Sequence, residues 1–156
     1  MAEQNKKFTV RPAALADSRR IWEIRNNPRV RRYANNSEKI SWEKHSLWFK
    51  KKYFSNSRNY CLVLVDNNQD YVVGYCRFDF TVKENKHFVS IAINQDNQGR
   101  GLGSLLLSQS IKMCPGVKEI IAEIRKNNPT SLKFFQRNNF KLYEKAGKNI
   151  IFGLKK

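Results

Sequence analysis

Chemistry in this chain concentrates where a strand runs into a glycine-rich turn and then into a helix. Phe88-Val89-Ser90-Ile91-Ala92-Ile93 reads as the strand and Asn94-Gln95-Asp96-Asn97 breaks it. Gln98-Gly99-Arg100-Gly101-Leu102-Gly103-Ser104 then opens a helix rich in leucine. Glycines permit positive φ and let a ligand approach the backbone. The first N–H groups of a helix have no intrahelical acceptor, and the helix dipole favours an anion beside them. That combination binds phosphate, and Arg100 inside the turn can add a positive charge. A Walker A loop is excluded, because no Gly-Lys-Ser/Thr follows at the required spacing. A dinucleotide fingerprint also fails, since Gly99-x-Gly101-x-Gly103 has the wrong last spacing and lies late in the chain. A plain connecting turn is the remaining alternative on this segment alone.

A second segment speaks against that alternative. Ala122-Glu123-Ile124-Arg125-Lys126-Asn127-Asn128 is a strand and its exit, followed by Pro129-Thr130-Ser131, the pair Phe134-Phe135, and Asn139-Phe140. The run from Gln98 to Gly103 matches the Q/R-x-x-G-x-G/A acyl-CoA loop of the GNAT acetyltransferases. The later segment matches that superfamily's N-x-x-S/A pattern, aromatic pair and G-F-like end. By both motifs and by element order, the chain resembles the GNAT superfamily over essentially its whole length.

The resemblance implies an enzyme in which an amine attacks the thioester of acetyl-CoA, with no metal. The acyl arm of the cofactor would lie along the strand of Ile91 and Ile93, and Gln98 belongs to the same cofactor-binding set. The pyrophosphate would sit on the N–H groups of Gly99, Arg100, Gly101, Leu102, Gly103 and Ser104, with Asn128, Ser131 and Phe135 as further contacts. Glu123 stands five residues before Asn128, where related protein-modifying acetyltransferases carry a carboxylate base; a solvent-facing strand carboxylate is the alternative. One departure is chemical: Phe135 occupies the place of a tyrosine thought to protonate the leaving thiolate. Water, another tyrosine such as Tyr143, or departure of the thiolate itself would replace it. A thiol pKa near ~8.5 makes the last tolerable.

The elements that position these residues follow from pattern and punctuation. Phe8–Arg11 predicts a first strand cut by Pro12, and Asp17 caps a helix to about Arg25 that Asn26-Asn27-Pro28 stops. Arg29–Tyr33 is basic and either helical or irregular. Ser41 sits at an N-cap, and Trp42, His45, Trp48 and Phe49 recur at helical spacing through Tyr53. Tyr60–Val65, Tyr71–Phe80 and His87–Asn94, joined by short polar links, predict an antiparallel meander. A helix over Gly101–Cys114, a strand over Lys118–Arg125, a helix from Pro129 to about Asn138 and two strands around Ala146-Gly147 complete the chain. The expected fold is α/β: a mixed, largely antiparallel sheet of six to seven strands with helices on both faces, forming a single domain over residues 1–156.

The N-terminal half chooses the amine. Trp22, Arg25-Asn26, Pro28, Val30, Arg31, Tyr33, Ile40-Ser41, His45 and Trp48 form a constellation similar to the W-R-N…I-s…H-x-x-W pattern of the N-acetyltransferases of pseudaminic acid biosynthesis. Those act on a UDP-linked 4-amino sugar. Here Trp22 stands three residues before Arg25 rather than beside it. The resemblance implies that Arg25, Asn26, Arg31, Tyr33, His45 and Trp48 bind the acceptor. Physically, Trp48 suits stacking on a uracil or sugar, the arginines suit a diphosphate, and His45 suits a hydroxyl or a proton. A core-facing aromatic stripe is the competing account of Trp42, His45 and Phe49. The rival function is N-terminal acetylation of a protein, of the ribosomal-protein type; binding of CoA without turnover is a third. A polyamine acceptor is disfavoured by repulsion.

Composition narrows the setting. The 156 residues carry 30 Lys+Arg against 13 Asp+Glu, a formal charge of +17. Such a field draws nucleic acid, anionic membrane or phosphorylated small molecules, but no nucleic-acid motif accompanies it, and acetyl-CoA with a nucleotide sugar offers better anions. No run approaches the ~18 apolar residues of a membrane span, and Met1–Lys7 lacks the apolar core of a signal peptide. Cys61, Cys76 and Cys114 are odd in number and widely spaced, and His45 and His87 are the two histidines. Disulfides and metal centres are therefore disfavoured, and a cytoplasmic location is expected. The C-terminal strand edges leave a homodimer open.

Overall fold

Polar turns cut the apolar runs into seven strands, and the computed structural model assembles them into one sheet. It describes residues 7–34 and 36–156; of the polar N-terminus read above, residues 1–6 lie outside the described residues. The strands are β1 (Phe8–Pro12), β2 (Tyr60–Asp66), β3 (Tyr71–Thr81), β4 (Lys86–Ile93), β5 (Glu119–Arg125), β6 (Lys141–Ala146) and β7 (Asn149–Lys155), in the order β1-β2-β3-β4-β5-β7-β6. All neighbours are antiparallel except β4 and β5, which run parallel. The expected meander is present as β2-β3-β4. The C-terminal hairpin enters with β7 inside and β6 outermost, an order that sequential reading did not anticipate.

Of the helices α1 (Ser18–Asn26), α2 (Pro28–Arg31), α3 (Trp42–Phe54), α4 (Leu102–Met113) and α5 (Pro129–Arg137), α2, α3 and α5 are started by side-chain caps; Asp17, expected to cap α1, instead pairs with Arg11 and accepts from Ala14 N. Asn27 accepts from Arg29 N at 2.9 Å ahead of Pro28, and Ser41 Oγ accepts from Lys44 N at 3.2 Å. Each such cap satisfies an otherwise orphan N–H and is worth about 1 kcal/mol. Of Arg29–Tyr33, for which two readings were left open, Arg29–Arg31 is helical and Arg32-Tyr33 is a turn. At the far end of α4, Lys156 Nζ donates to the carbonyls of Ile111 and Cys114 at 3.0 and 2.8 Å, a cation placed at the negative helix terminus.

Strand alternation sends side chains to two cores. Leu62 and Leu64 of β2 with Cys76 and Phe78 of β3 pack under Leu102, Leu105, Leu106 and Leu107 of α4, joined by Phe135 of α5. Cys61, Val63 and Val65 with Tyr75 face the other way, against Ile21 and Ile24 of α1 and Phe49 of α3. Helices cover both faces. Gly74 lets β3 and β4 close up: a Cβ there would stand 2.7 Å from Ile93 Cδ1 and 3.0 Å from the Ala92 carbonyl oxygen. Gly74→Ala is expected to lower unfolding stability by about 1–3 kcal/mol in urea titration.

Candidate active site

Strands β4 and β5 touch over two residue pairs, His87–Ile120 and Phe88–Ile121, and then part. On its other edge β4 pairs with β3 throughout, and Asn94 N donates to the Val73 carbonyl at 2.7 Å. Residues of the opposite parity, Ile91 and Ile93, therefore turn their N–H and C=O groups into the gap. Gln98 reaches back to this edge, its Nε2 donating to the Ile93 carbonyl at 2.9 Å. The gap opens into a cavity of about 710 Å³ that runs from the glycine turn to the α1–α2 corner.

Gly99, Gly101, Gly103, Ser104, Ser131 and Phe135 line one end of it, with Gln98 and Leu102. Gly101 holds φ +74° as the N-cap of α4, and no side chain caps that helix; the first backbone bond of the turn is Leu105 N to Gly101 O. Gly99 has φ +76°, and a Cβ on it would meet no atom within 4 Å, so the loop presents bare backbone. Gly103 allows close approach of α5: its Cβ would lie 3.0 Å from Phe134 Cε2. Leu102 contributes backbone alone, because its side chain is buried in the core. Asn128 caps α5, accepting from Ser131 N at 3.2 Å and donating to Ser131 Oγ at 2.9 Å. An unpaired strand edge leading to an uncapped helix N-terminus fits an acyl arm followed by a pyrophosphate.

Two expectations change here. Arg100 does not line the cavity; its guanidinium lies over the Phe8 ring, 5.4 Å from the centroid. Arg137, in the last turn of α5, lines the cavity instead. Tyr143 is also elsewhere: on outermost β6 its ring packs against Gly153, with Glu119 and Lys86 beside it. Glu119 starts β5, whereas the cavity lies at that strand's other end, so Tyr143 leaves the catalytic set.

Alternation puts Tyr75, Arg77, Ser90, Ala92, Glu123 and Arg125 on the sheet face away from α4, lining the second half of the cavity with Arg25 and Arg31. Glu123 is exposed, and its Oε1 accepts from Asn149 Nδ2 at 2.5 Å. Asn26 turns out to be a clamp: Nδ2 donates to the Ile40 carbonyl at 2.8 Å and Oδ1 accepts from Ile40 N at 3.0 Å. Trp22 Nε1 donates to the same carbonyl at 2.7 Å. Arg31 Nη1 reaches Ser37 O at 3.3 Å, and Arg125 Nη2 reaches Ala34 O at 3.2 Å. These bonds strap the segment carrying Tyr33, Asn36 and Glu38 across the cavity mouth, where all three line the wall.

His45 and Trp48 line a smaller cavity of about 230 Å³ that shares Arg25 and Ile40 with the large one. The Trp48 ring is engaged by cations, with Arg25 and Arg77 at 4.9 and 5.1 Å from its centroid. Its expected role as a stacking surface for a base is thereby taken by protein. His45 is 1% exposed and stacks on Trp42 and Phe49. Burial, with the charge of Arg25, pushes its pKa down to about 4. His45 thus belongs to the core-facing stripe and also borders the smaller cavity. Arg77 and Arg125 were missed by sequence reasoning; the signal for Arg77 was a lone cation between buried Cys76 and Phe78.

The model of the acetyltransferase (GNAT) domain matches residues 7–141. The chain belongs to the GNAT acetyltransferase family. Acetyltransferase PseH of Campylobacter jejuni is 25% identical over 134 residues, 80% of this chain and 76% of that one. Among solved structures, a candidate phosphinothricin N-acetyltransferase superposes with a TM-score of 0.78 at 26% identity, covering 95% of this chain and 98% of that chain. The protein yncA of Salmonella typhimurium, solved with its cofactor acetyl-CoA, gives 0.79 at 23% identity over 95% and 93% of the two chains. Among the described residues no group of three or more His, Cys, Asp or Glu is arranged to hold a metal, and no helix is long and apolar enough to cross a membrane.

Gly101→Glu, which puts a Cβ and a negative charge at positive φ on the α4 N-terminus, is expected to weaken acetyl-CoA binding at least about tenfold in calorimetry. Because His45 protonates in the unfolded chain near pH ~6.5 but in the folded one at about 4, stability is expected to fall as pH drops through that window, by up to about 3 kcal/mol. His45→Phe should flatten this part of the stability–pH curve measured by denaturant unfolding.

Proposed function

We propose that this acetyltransferase acetylates a primary amine on an anionic small molecule, and that the acceptor is a nucleotide-linked amino sugar. The observation that carries the reading is the arginine-walled half of the cavity, where Arg25, Arg31, Arg77 and Arg125 all line the space next to Glu123. Guanidinium groups pair with phosphate oxygens in a planar, bidentate way. The likeness to PseH at 25% identity supports the same acceptor class, as does the Arg25-Asn26…His45…Trp48 pattern. An N-terminal peptide acceptor finds less support, because four arginines would meet a positively charged α-amino group.

Bound acetyl-CoA supplies the acetyl group as an activated thioester. The N–H and C=O edge of Ile91 and Ile93 holds the acyl arm in the gap, and the bare backbone from Gly99 to Ser104, with Arg137, holds the pyrophosphate. Ser131 and Phe135 close the wall beside that arm, and Asn128 acts by fixing the start of α5. On the opposite face Glu123 accepts the proton of the attacking amine, directly or through one water. Asn149 orients that carboxylate. Tyr33 closes the acceptor end, and His45, neutral at pH 7, offers a hydrogen bond to an acceptor group entering the smaller cavity. Phe135 cannot donate a proton, so the thiolate leaves as such and is protonated by solvent.

Purified enzyme should release CoA from acetyl-CoA in the presence of a UDP-amino sugar and not with N-terminal peptides. Turnover with peptides alone overturns the acceptor assignment. The pH–rate profile of kcat should show one ascending limb and no descending limb up to about pH 9. Glu123→Gln should lower kcat about 10²–10⁴-fold with KM for acetyl-CoA unchanged; an unaltered profile would assign the proton transfer to solvent.

A further inference from the structure

We infer that Arg25 and Arg77 form an oxyanion-binding subsite on the acceptor side of the cavity, taking a phosphate or carboxylate carried by the amine substrate. The inference rests on the acceptor reading above and names the residues that read the acceptor's charge. Arg77 lies in the middle of β3, where its neighbours Cys76 and Phe78 are fully buried. Its Nη1 donates to Asp79 Oδ2 at 2.9 Å and to the Tyr53 hydroxyl at 3.3 Å, while that hydroxyl donates to Asp79 Oδ1 at 2.6 Å. Those bonds fix one edge of the guanidinium. The other edge is left over: Nε is buried and has no hydrogen-bond partner, in a side chain that lines the cavity. A buried donor without an acceptor is costly, and a ligand oxygen at that edge would remove the cost.

Arg25 shares a ring and a cavity with it. Both guanidinium groups lie about 5 Å from the same indole ring of Trp48 and both line the large cavity. Arg25 makes no hydrogen bond or ion pair among the described residues, and its guanidinium rests over that ring. Lys52 shares Asp79 at 3.7 Å, so that carboxylate is divided between two cations and Arg25 has no ion-pair partner of its own among the described residues. Like charges this close and partly desolvated repel, and an anion between them reverses the sign of the interaction. An oxyanion is the chemical group that offers two acceptor oxygens to two guanidinium edges at once.

The test titrates enzyme already saturated with CoA, which fills the other phosphate site, with UDP, inorganic pyrophosphate and glutarate in a calorimeter. Arg77→Met and Arg77→Lys are measured beside the unaltered chain, with melting temperature and CoA affinity as folding controls. Removing the charge leaves Asp79 with Tyr53 and Lys52, so Arg77→Met should fold; Arg77→Lys, the milder change, serves if it does not. The expected result is anion binding weakened about 10- to 100-fold by Met, with a smaller loss for Lys, whose single ammonium cannot bind bidentately. Anion affinity that is equal in all three proteins, or absent from the unaltered one, overturns the subsite. Arg77-dependent binding of glutarate without binding of UDP keeps the subsite and overturns the nucleotide-sugar reading. UDP binding that ignores Arg77 does the reverse.

Discussion

A sheet that held β4 and β5 together along their full length would have no active site. The two strands share two residue pairs, while β3–β4 and β5–β7 are zipped for eight and seven. The parting leaves backbone donors and acceptors of β4 without a strand partner, and buried groups of that kind cost several kcal/mol in a dry interior. They are tolerated here because the gap is open to solvent at the cavity and because each strand is secured by its outer neighbour. Gln98, reaching back to the Ile93 carbonyl, settles one of them from within the glycine turn. The same bare edge is a ready-made partner for an extended polar chain such as the arm of acetyl-CoA.

From the parting follows a division of labour between the two faces. Residues of one parity on β4 pack toward α4, whose uncapped N-terminus opens on one end of the cavity. Residues of the other parity, with their neighbours on β3 and β5, turn Arg77, Ser90, Glu123 and Arg125 toward its other end. The sheet is the partition, and the gap is the one place where groups on the two sides can meet. An amine and a thioester held on opposite sides of such a gap are brought together without either site having to move.

Much of this was legible in the residues. The strand, glycine turn and helix around Gln98–Ser104 could be read because their features are local. Helix starts at Ser41 and Pro129 were readable because capping is local too. The parting of β4 from β5 was not, since strand pairing depends on what lies far off in the chain, and neither was the insertion of β7 between β5 and β6. Trp48 looked like a platform for a ring; that its face is taken by Arg25 and Arg77 depends on α1 and β3 arriving beside it. Arg100 and Tyr143 were misplaced for a related reason: proximity in sequence, or a suitable side-chain chemistry, does not decide which way a residue points.

The +17 charge now has a partial address. Arg25, Arg31, Arg77, Arg125 and Arg137 line the cavity, and the remaining cations are distributed over the rest of the chain. The strap across the mouth has a different significance. Asn26 and Trp22 grip the main chain of Ile40, and Arg125 and Arg31 hold the main chain of Ala34 and Ser37. None of these attachments reads a side chain of the strap. Its residues can therefore be exchanged, and the shape and polarity of the acceptor pocket rewritten, while the scaffold that performs acetyl transfer keeps its fastening points.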